Sequence, residues 1–386
     1  MDRCVIDYIL TRQPVNLSTR YPVNLLKNYL MNKLRYGLAM VAVALCSLAS
    51  AQTAVELKQQ SLGKWRIGAA QYSGITALGG NRYAMVSDKE PTDGFFLFRI
   101  DQSALTGDVT NVYLEGFKGN RSPKVDAQGI SIRDCEGVAY FPQRHTLFIS
   151  GEGDQRILEY DMEGQPTGRE LNVPDIFSSE HIVFNYGFEA LCYDTIAHRF
   201  WTTSESTLPA DGPAASPTHP GAVNLLRLQA FDDNLQPVAQ YAYRMDRGRT
   251  DDFGKTYVFG VPEIAPLPDG RLLILEREAN VTHGGLSSAT RCKLFVVDPR
   301  NAHQIDSSTP MKDVDSNHFL DKKLLADWTT EVQPFKLTFA NYEGMCLGRT
   351  LADGRMTLLL VNDSQGGYRK GPFSLKDYIK VIVIGN

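Results

Sequence analysis

The sequence predicts an all-β fold, a β-propeller built from four-stranded antiparallel blades. Composition points there first: 18 Phe, 17 Tyr and 3 Trp accompany 32 Gly and 19 Pro, a balance that suits many tight turns better than a helical bundle. Patterning points the same way, because apolar residues alternate or run continuously over strand-length stretches and almost never recur at helical spacing. A hairpin-like segment also repeats along the chain. With 43% hydrophobic and 22% charged residues, the chain can bury a large core, which excludes a disordered or low-complexity protein.

The N-terminal segment follows other rules. Lys33 and Arg35 precede the apolar run from Gly37 to Leu48, and Ala49-Ser50-Ala51 follows it. That is the order of n-region, h-region and A-x-A cleavage site in a secretory signal peptide. At 12 residues the run is too short to span a bilayer, which takes ~20. Met31-Asn32-Lys33 is a natural signal-peptide opening, so residues 31–51 are read as the signal and residues 1–30 as an extension upstream of the true translation start. Leu45 stands before Cys46 where a lipoprotein signal has a small residue, which argues against lipid anchoring. Residues 52–386 then form one exported domain, periplasmic or extracellular, with no membrane span and with a monomer slightly favoured.

The formal charge is −4 for the whole chain, and loss of six Lys/Arg and two Asp with residues 1–51 makes the remainder −8. An acidic surface without a basic stripe excludes nucleic acid as a partner. The sequence contains no G-x-S-x-G elbow, P-loop or dinucleotide fingerprint. His145, His181, His198, His219, His283, His303 and His318 are scattered without H-x-x-x-H spacing. Cys135, Cys192, Cys292 and Cys346 survive export; pairing is open to three connectivities, but their apolar, strand-like settings favour buried thiols.

The repeat is an inner strand beginning with a small or acidic residue, a turn, and a second strand ending near an acid. Its five copies run from Ser73 to Asp88, Glu136 to Glu152, Glu189 to Glu205, Glu263 to Glu276 and Glu343 to Asp363. Asp269-Gly270 and Asp353-Gly354 supply two of the turns. Between copies lie further strand-like runs: Phe95 to Ile100, Ile157 to Asp161, Asn224 to Phe231, Gln240 to Met245, Lys293 to Asp298 and Tyr378 to Ile384. Units of this kind close radially. The glutamates opening the last four copies are 53, 74 and 80 residues apart, longer than a blade needs. About six blades are therefore expected, with five or seven also compatible, and the segments 209–221 and 300–321 are read as inserted loops.

In a propeller the innermost strands line a central channel, so equivalent residues from successive blades converge. Glu136, Glu189, Glu263 and Glu343 are read as one such set, with Ser73 as the first copy's counterpart. Carboxylates facing one another need a cation or basic side chain, and hard oxygen ligands favour Ca²⁺ or Mg²⁺ over zinc. The expected metal ligands are Asp88, Glu136, Glu189, Glu263, Glu343 and Asp363. Asp88, Glu152, Glu205, Glu276 and Asp363, each ending its second strand, are expected at the channel mouth. Lys89, Arg156 and Arg277, beside these acids, are candidate clamps for an anionic group. Alternatively, each acid accepts backbone N–H groups from a neighbouring blade, and each basic residue is a salt-bridge partner.

Five blocks then carry a resemblance: Ser73-Gly74-Ile75 with Ser87-Asp88-Lys89; Asp134-x-Glu136-Gly137-Val138-Ala139; Gly187-Phe188-Glu189-Ala190-Leu191 with Ser204-Glu205-Ser206-Thr207-Leu208; Leu272-Leu273-Ile274-Leu275-Glu276-Arg277; and Asn341-Tyr342-Glu343-Gly344 with Val361-Asn362-Asp363. From about Leu62 onward the chain resembles the phytase-like, or "esterase-like activity of phytase", propeller proteins. The resemblance implies hydrolysis of phosphate or other esters, although the D-A-x-D-D-P calcium motif of classical β-propeller phytases is absent. The expected function is metal-dependent hydrolysis of a small anionic ester, with Glu136 and Glu343 as candidate catalytic acids. A non-catalytic propeller binding a ligand or protein partner, its acids structural or holding calcium, is the alternative.

Overall fold

The computed structural model describes residues 52–385 except 89, 91, 121, 123–124, 126–131, 335, 368 and 371–372. Residues 31–51, read from the sequence as a signal, and residues 1–30, read as an upstream extension, lie outside the described residues. Strands β1 (Thr53–Glu56) and β2 (Gln60–Ser61) precede blade 1, which comprises β3 (Tyr72–Gly79), β4 (Arg82–Ser87), β5 (Gly94–Gln102) and β6 (Val109–Gly119). Blade 2 is β7 (Cys135–Phe141), β8 (Thr146–Gly151), β9 (Arg156–Tyr160) and β10 (Pro166–Glu170). Blade 3 is β11 (Phe188–Asp194), β12 (Arg199–Ser204), β13 (Leu225–Phe231) and β14 (Pro237–Arg244). Blade 4 is β15 (Thr256–Pro266), β16 (Leu272–Val281), β17 (Ala289–Val297) and β18 (Lys322–Gln333), extended by β19 (Lys336–Leu337). Blade 5 takes β20 (Asn341–Leu347), β21 (Met356–Asp363) and β24 (Tyr378–Gly385), with β22 (Arg369–Lys370) and β23 (Phe373–Ser374) forming a hairpin between the last two.

The fourth strand of blade 5 comes from the other end of the chain. β1 pairs antiparallel with β24, Thr53 opposite Gly385 and Glu56 opposite Ile382, so the N-terminal strand closes the ring and covers an edge that would otherwise expose a row of unpaired backbone groups. The inner strands neighbour one another in the cyclic order β3, β7, β11, β15, β20 and back to β3.

There are thus five blades among the described residues, one per repeat copy, in place of the six that spacing suggested. The excess length sits in loops: residues 205–224 separate β12 from β13, and residues 298–321 separate β17 from β18. Both predicted insertions fall within them. No α-helix occurs among the described residues, only short 3₁₀ turns.

Each blade is apolar on both faces because each packs between two others. Five core clusters result, one per seam. Phe95, Val138 and Ile149 fill the seam of blades 1 and 2, and Phe141, Phe148, Phe200 and Tyr193 that of blades 2 and 3. Trp201, Leu228 and Ile274 fill the third seam, Leu275, Leu294, Tyr342 and Leu360 the fourth, and Tyr72, Phe98, Leu359 and Ile379 the fifth. Cys135, Cys192, Cys292 and Cys346 are buried free thiols in these seams, with burial pushing the Cys135 thiol up to about 11.

Candidate metal centre

Every inner strand carries a β-bulge near its start, at Tyr72/Gly74, Cys135/Val138, Phe188/Leu191, Gly260/Glu263 and Tyr342/Gly344. A bulge inserts an extra residue and re-aims its side chain. The residue so placed is Ser73 in blade 1, Glu136 in blade 2, Glu189 in blade 3 and Glu343 in blade 5. The following position passes close to the next blade. A Cβ on Gly74 would stand 2.3 Å from the Glu136 carbonyl oxygen, and one on Gly137 2.3 Å from that of Glu189. Glycine is needed there for that reason.

Blade 4 is one residue out of step with the sequence alignment of glutamates. Glu263 pairs with Leu275, as Gly74 pairs with Val86 and Gly344 with Val361, so Pro262 occupies the channel position. The Glu263 carboxyl instead accepts the Leu191 and Ile264 N–H groups, each at 3.0 Å, and a backbone bond from Met345. It ties blades 3, 4 and 5 together, the role that the alternative reading gave these acids. Glu276 is likewise displaced, accepting from the Tyr243 hydroxyl at 2.7 Å and pairing with Lys322 at 2.6 Å. The register position of Asp363, opposite Asn341, falls on Arg277, opposite Gly260; Glu278, one residue further on, accepts the Arg249 and Thr250 N–H groups and anchors the loop before β15. Glu263→Ala is expected to lower stability by about 3 kcal/mol, equally with and without calcium; a calcium-dependent difference in chemical denaturation would return this residue to the metal ligands.

The remaining acids converge. One carboxylate oxygen each from Asp88, Asp134 and Glu136 lie within 4.8 Å of one another, and so do those of Glu152, Glu189 and Glu205. Asp134, immediately before β7, has φ of 52°, a left-handed conformation that Asp tolerates better than most residues. In the sequence it stands in the Asp134-x-Glu136 block, and a carboxylate two residues before Glu136 is its available signal. Glu152 also accepts the Gly187 N–H at 3.0 Å. Asp363 lies near enough to Glu343 to raise its pKa and accepts the Gln365 N–H at 2.5 Å.

Arg277 reaches the channel from β16. Its Nη1 donates to Glu343 at 2.6 Å and to Asn341 at 3.1 Å, its Nη2 meets Glu205, and Glu189 stands 3.6 Å away. Three carboxylates already surround this guanidinium, which therefore acts as their counter-ion. Arg156 lies elsewhere, pairing with Glu170 at 2.7 Å and lining a cavity of about 190 Å³ between blades 1 and 2. Lys89 lies outside the described residues.

Burial and mutual repulsion govern the titration of this cluster. Glu136 is pushed well above the usual carboxyl range by burial first, then by Asp88, Glu189, Glu343 and Glu152. Burial, then Glu205, raises Glu189; burial, then Asp363, raises Glu343; Arg277 opposes both shifts. Glu136, only 7% exposed, makes no hydrogen bond or ion pair among the described residues. The donor set is oxygen alone, and an unpartnered buried carboxylate beside two others is what a hard cation would satisfy; the residues fit calcium or magnesium.

Five radial blades and an oxygen-lined channel define a small propeller with a candidate cation centre. The family profile described as "Phytase-like: Esterase-like activity of phytase" matches residues 67–365, and the chain belongs to this phytase-like family. No curated protein sequence matches it. Among solved structures it is similar to an endo-arabinase from Bacteroides thetaiotaomicron, at 13% identity and a TM-score of 0.43 over 83% of this chain and 95% of that one. It is also similar to a luciferin-regenerating enzyme (12%, TM-score 0.37, 86% and 98% covered) and to a nidogen/laminin complex (10%, 0.34, 82% and 86%). These likenesses concern the fold and carry no activity across. Among the described residues no helix is long and apolar enough to cross a membrane.

Proposed function

We propose that the protein is an exported, metal-dependent hydrolase of phosphate or other esters. The convergence of two carboxylate triplets in the channel supports this reading most directly, and membership of the phytase-like family agrees with it. Asp88, Asp134 and Glu136, with Glu152, Glu189 and Glu205, are the candidate ligands. A bound divalent cation supplies polarisation of the ester and a more acidic water. Glu343, held by Arg277 and by Asn341 at 2.6 Å, is oriented to take a proton from an attacking water, and Glu136 is the second catalytic candidate. Lys89, next to Asp88 in the sequence, is the candidate contact for an anionic substrate.

Glu136→Gln combined with Glu343→Gln is expected to abolish turnover of a chromogenic phosphate or carboxylate ester, with circular dichroism unchanged. Retained turnover removes the hydrolase. One observation favours a second reading, a propeller that binds without catalysing: Arg277 is saturated by Glu189, Glu205 and Glu343, a structural arrangement. In that case calcium raises the unfolding midpoint and no ester in the panel is turned over.

A further inference from the structure

Away from the channel, the cavity of about 190 Å³ between blades 1 and 2 has strongly polar walls. Three guanidinium groups and four carboxylates line it, and most of that charge is matched within the wall. Arg133 meets Asp154 at 2.9 Å, Arg156 meets Glu170 at 2.7 Å, and Arg169 meets Glu159 at 3.3 Å. An anion would have to break one of these pairs to form its own, so the three arginines do not make an anion site.

Two lining residues nevertheless keep a polar atom unmatched. Arg133, 2% exposed, uses its Nη groups on Asp154 and on the Ile149 and Arg156 carbonyls, and its Nε has no hydrogen-bond partner among the described residues. Asp93, 3% exposed, has no ion pair among those residues; its Oδ2 accepts from the Tyr160 hydroxyl at 3.3 Å, and its Oδ1 has no partner. Different blades supply the two, since Asp93 precedes β5 and Arg133 precedes β7. Buried polar atoms in native proteins nearly all have a partner, so this donor and this acceptor call for one. A hydroxyl donates to a carboxylate and accepts from a guanidinium without adding charge. The space equals that of about six waters in the liquid, which is too small for a drug-sized ligand and enough for one pyranose ring. Leu158 and Pro166 add an apolar stretch of wall for the C–H face of such a ring.

We propose that this cavity binds a neutral monosaccharide, anchored by hydrogen bonds to Arg133 and Asp93. The assignment is independent of the channel acids and of whether the protein hydrolyses esters.

The test is calorimetric titration of D-glucose, D-galactose and D-mannose, each separately, into the protein. At least one of them is expected to bind at one site per chain, with a dissociation constant of roughly 10 mM or lower. Asp93→Asn keeps an acceptor for the Tyr160 hydroxyl and should weaken that binding about tenfold or more. Leu158→Trp, which fills the cavity and leaves the polar pair in place, should abolish it. Circular dichroism checks that each variant folds; should one not fold, the other still decides. Sodium phosphate should not compete with the sugar. No binding of any of the three sugars, undiminished affinity in Asp93→Asn or Leu158→Trp, or phosphate binding that Asp93→Asn strengthens would overturn the assignment.

Discussion

Gly137→Ala is expected to destabilise the propeller by about 3 kcal/mol or more, or to prevent folding, although it adds one methyl group to a buried strand. The added Cβ would stand 2.3 Å from the Glu189 carbonyl oxygen, 2.7 Å from the Leu191 Cβ and 2.9 Å from the Ser150 hydroxyl. The first of these is the backbone of the next blade, which cannot move without shifting its own hairpin. Overpacking of a rigid interior usually costs 1–3 kcal/mol, and a clash with backbone belongs at the top of that range. The Ser150 hydroxyl also accepts the Gly137 N–H at 2.8 Å, so a shift would strain a buried hydrogen bond as well. Ala190, buried at the equivalent place in blade 3, has its Cβ accommodated in the third seam, and Ala190→Gly should cost no more than about 1 kcal/mol. Urea unfolding of both variants checks the pair; an unchanged Gly137→Ala midpoint would mean that the inner strands do not approach so closely.

This glycine marks where the sequence was readable and where it was not. Small or acidic residues opening each strand, followed by alternating apolar positions, betray a repeated hairpin, because a pleated strand buried on both faces leaves few other patterns. Blade number was less legible: loop length adds to repeat spacing without adding strands, as the long insertions before β13 and β18 show. Register failed in blade 4 alone. Glu263 resembles Glu136 in the linear sequence, but the bulge counts residues, and Gly74, Gly137 and Gly344 rather than the glutamates mark the common position. Aligning the close-approach position would have put Pro262 in the channel. Nothing local identifies Arg277 as a counter-ion for Glu205 and Glu343, since those contacts join blades far apart in the chain. Asp134 was hidden for the opposite reason: it precedes the strand, where no repeat pattern reaches.

The second large effect concerns pH. Glu136, Glu189 and Glu343 have folded-state pKa values well above normal, with burial the leading cause in each, whereas in the unfolded chain they titrate near the ordinary value of about 4.3. Between those values the folded protein holds more protons than the unfolded one, so stability falls as pH rises. In chelator, the unfolding midpoint is therefore expected to be higher at pH 5 than at pH 8. Calcium at pH 8 should recover part of the difference by replacing the lost protons with a cation. Arg277→Met sharpens the contrast. It leaves Glu189, Glu205 and Glu343 without their guanidinium, and stripping one partner from a buried ion pair costs about 3–5 kcal/mol. That penalty applies fully at pH 8, where the carboxyls are pressed to ionise, and should shrink at pH 5, where they are protonated. Thermal unfolding at both pH values, with and without calcium, reads all of these terms. A midpoint in chelator that stays level or rises from pH 5 to pH 8 would mean that the channel carboxylates are already neutralised within the fold, and that neither a proton nor a metal is needed to hold them together.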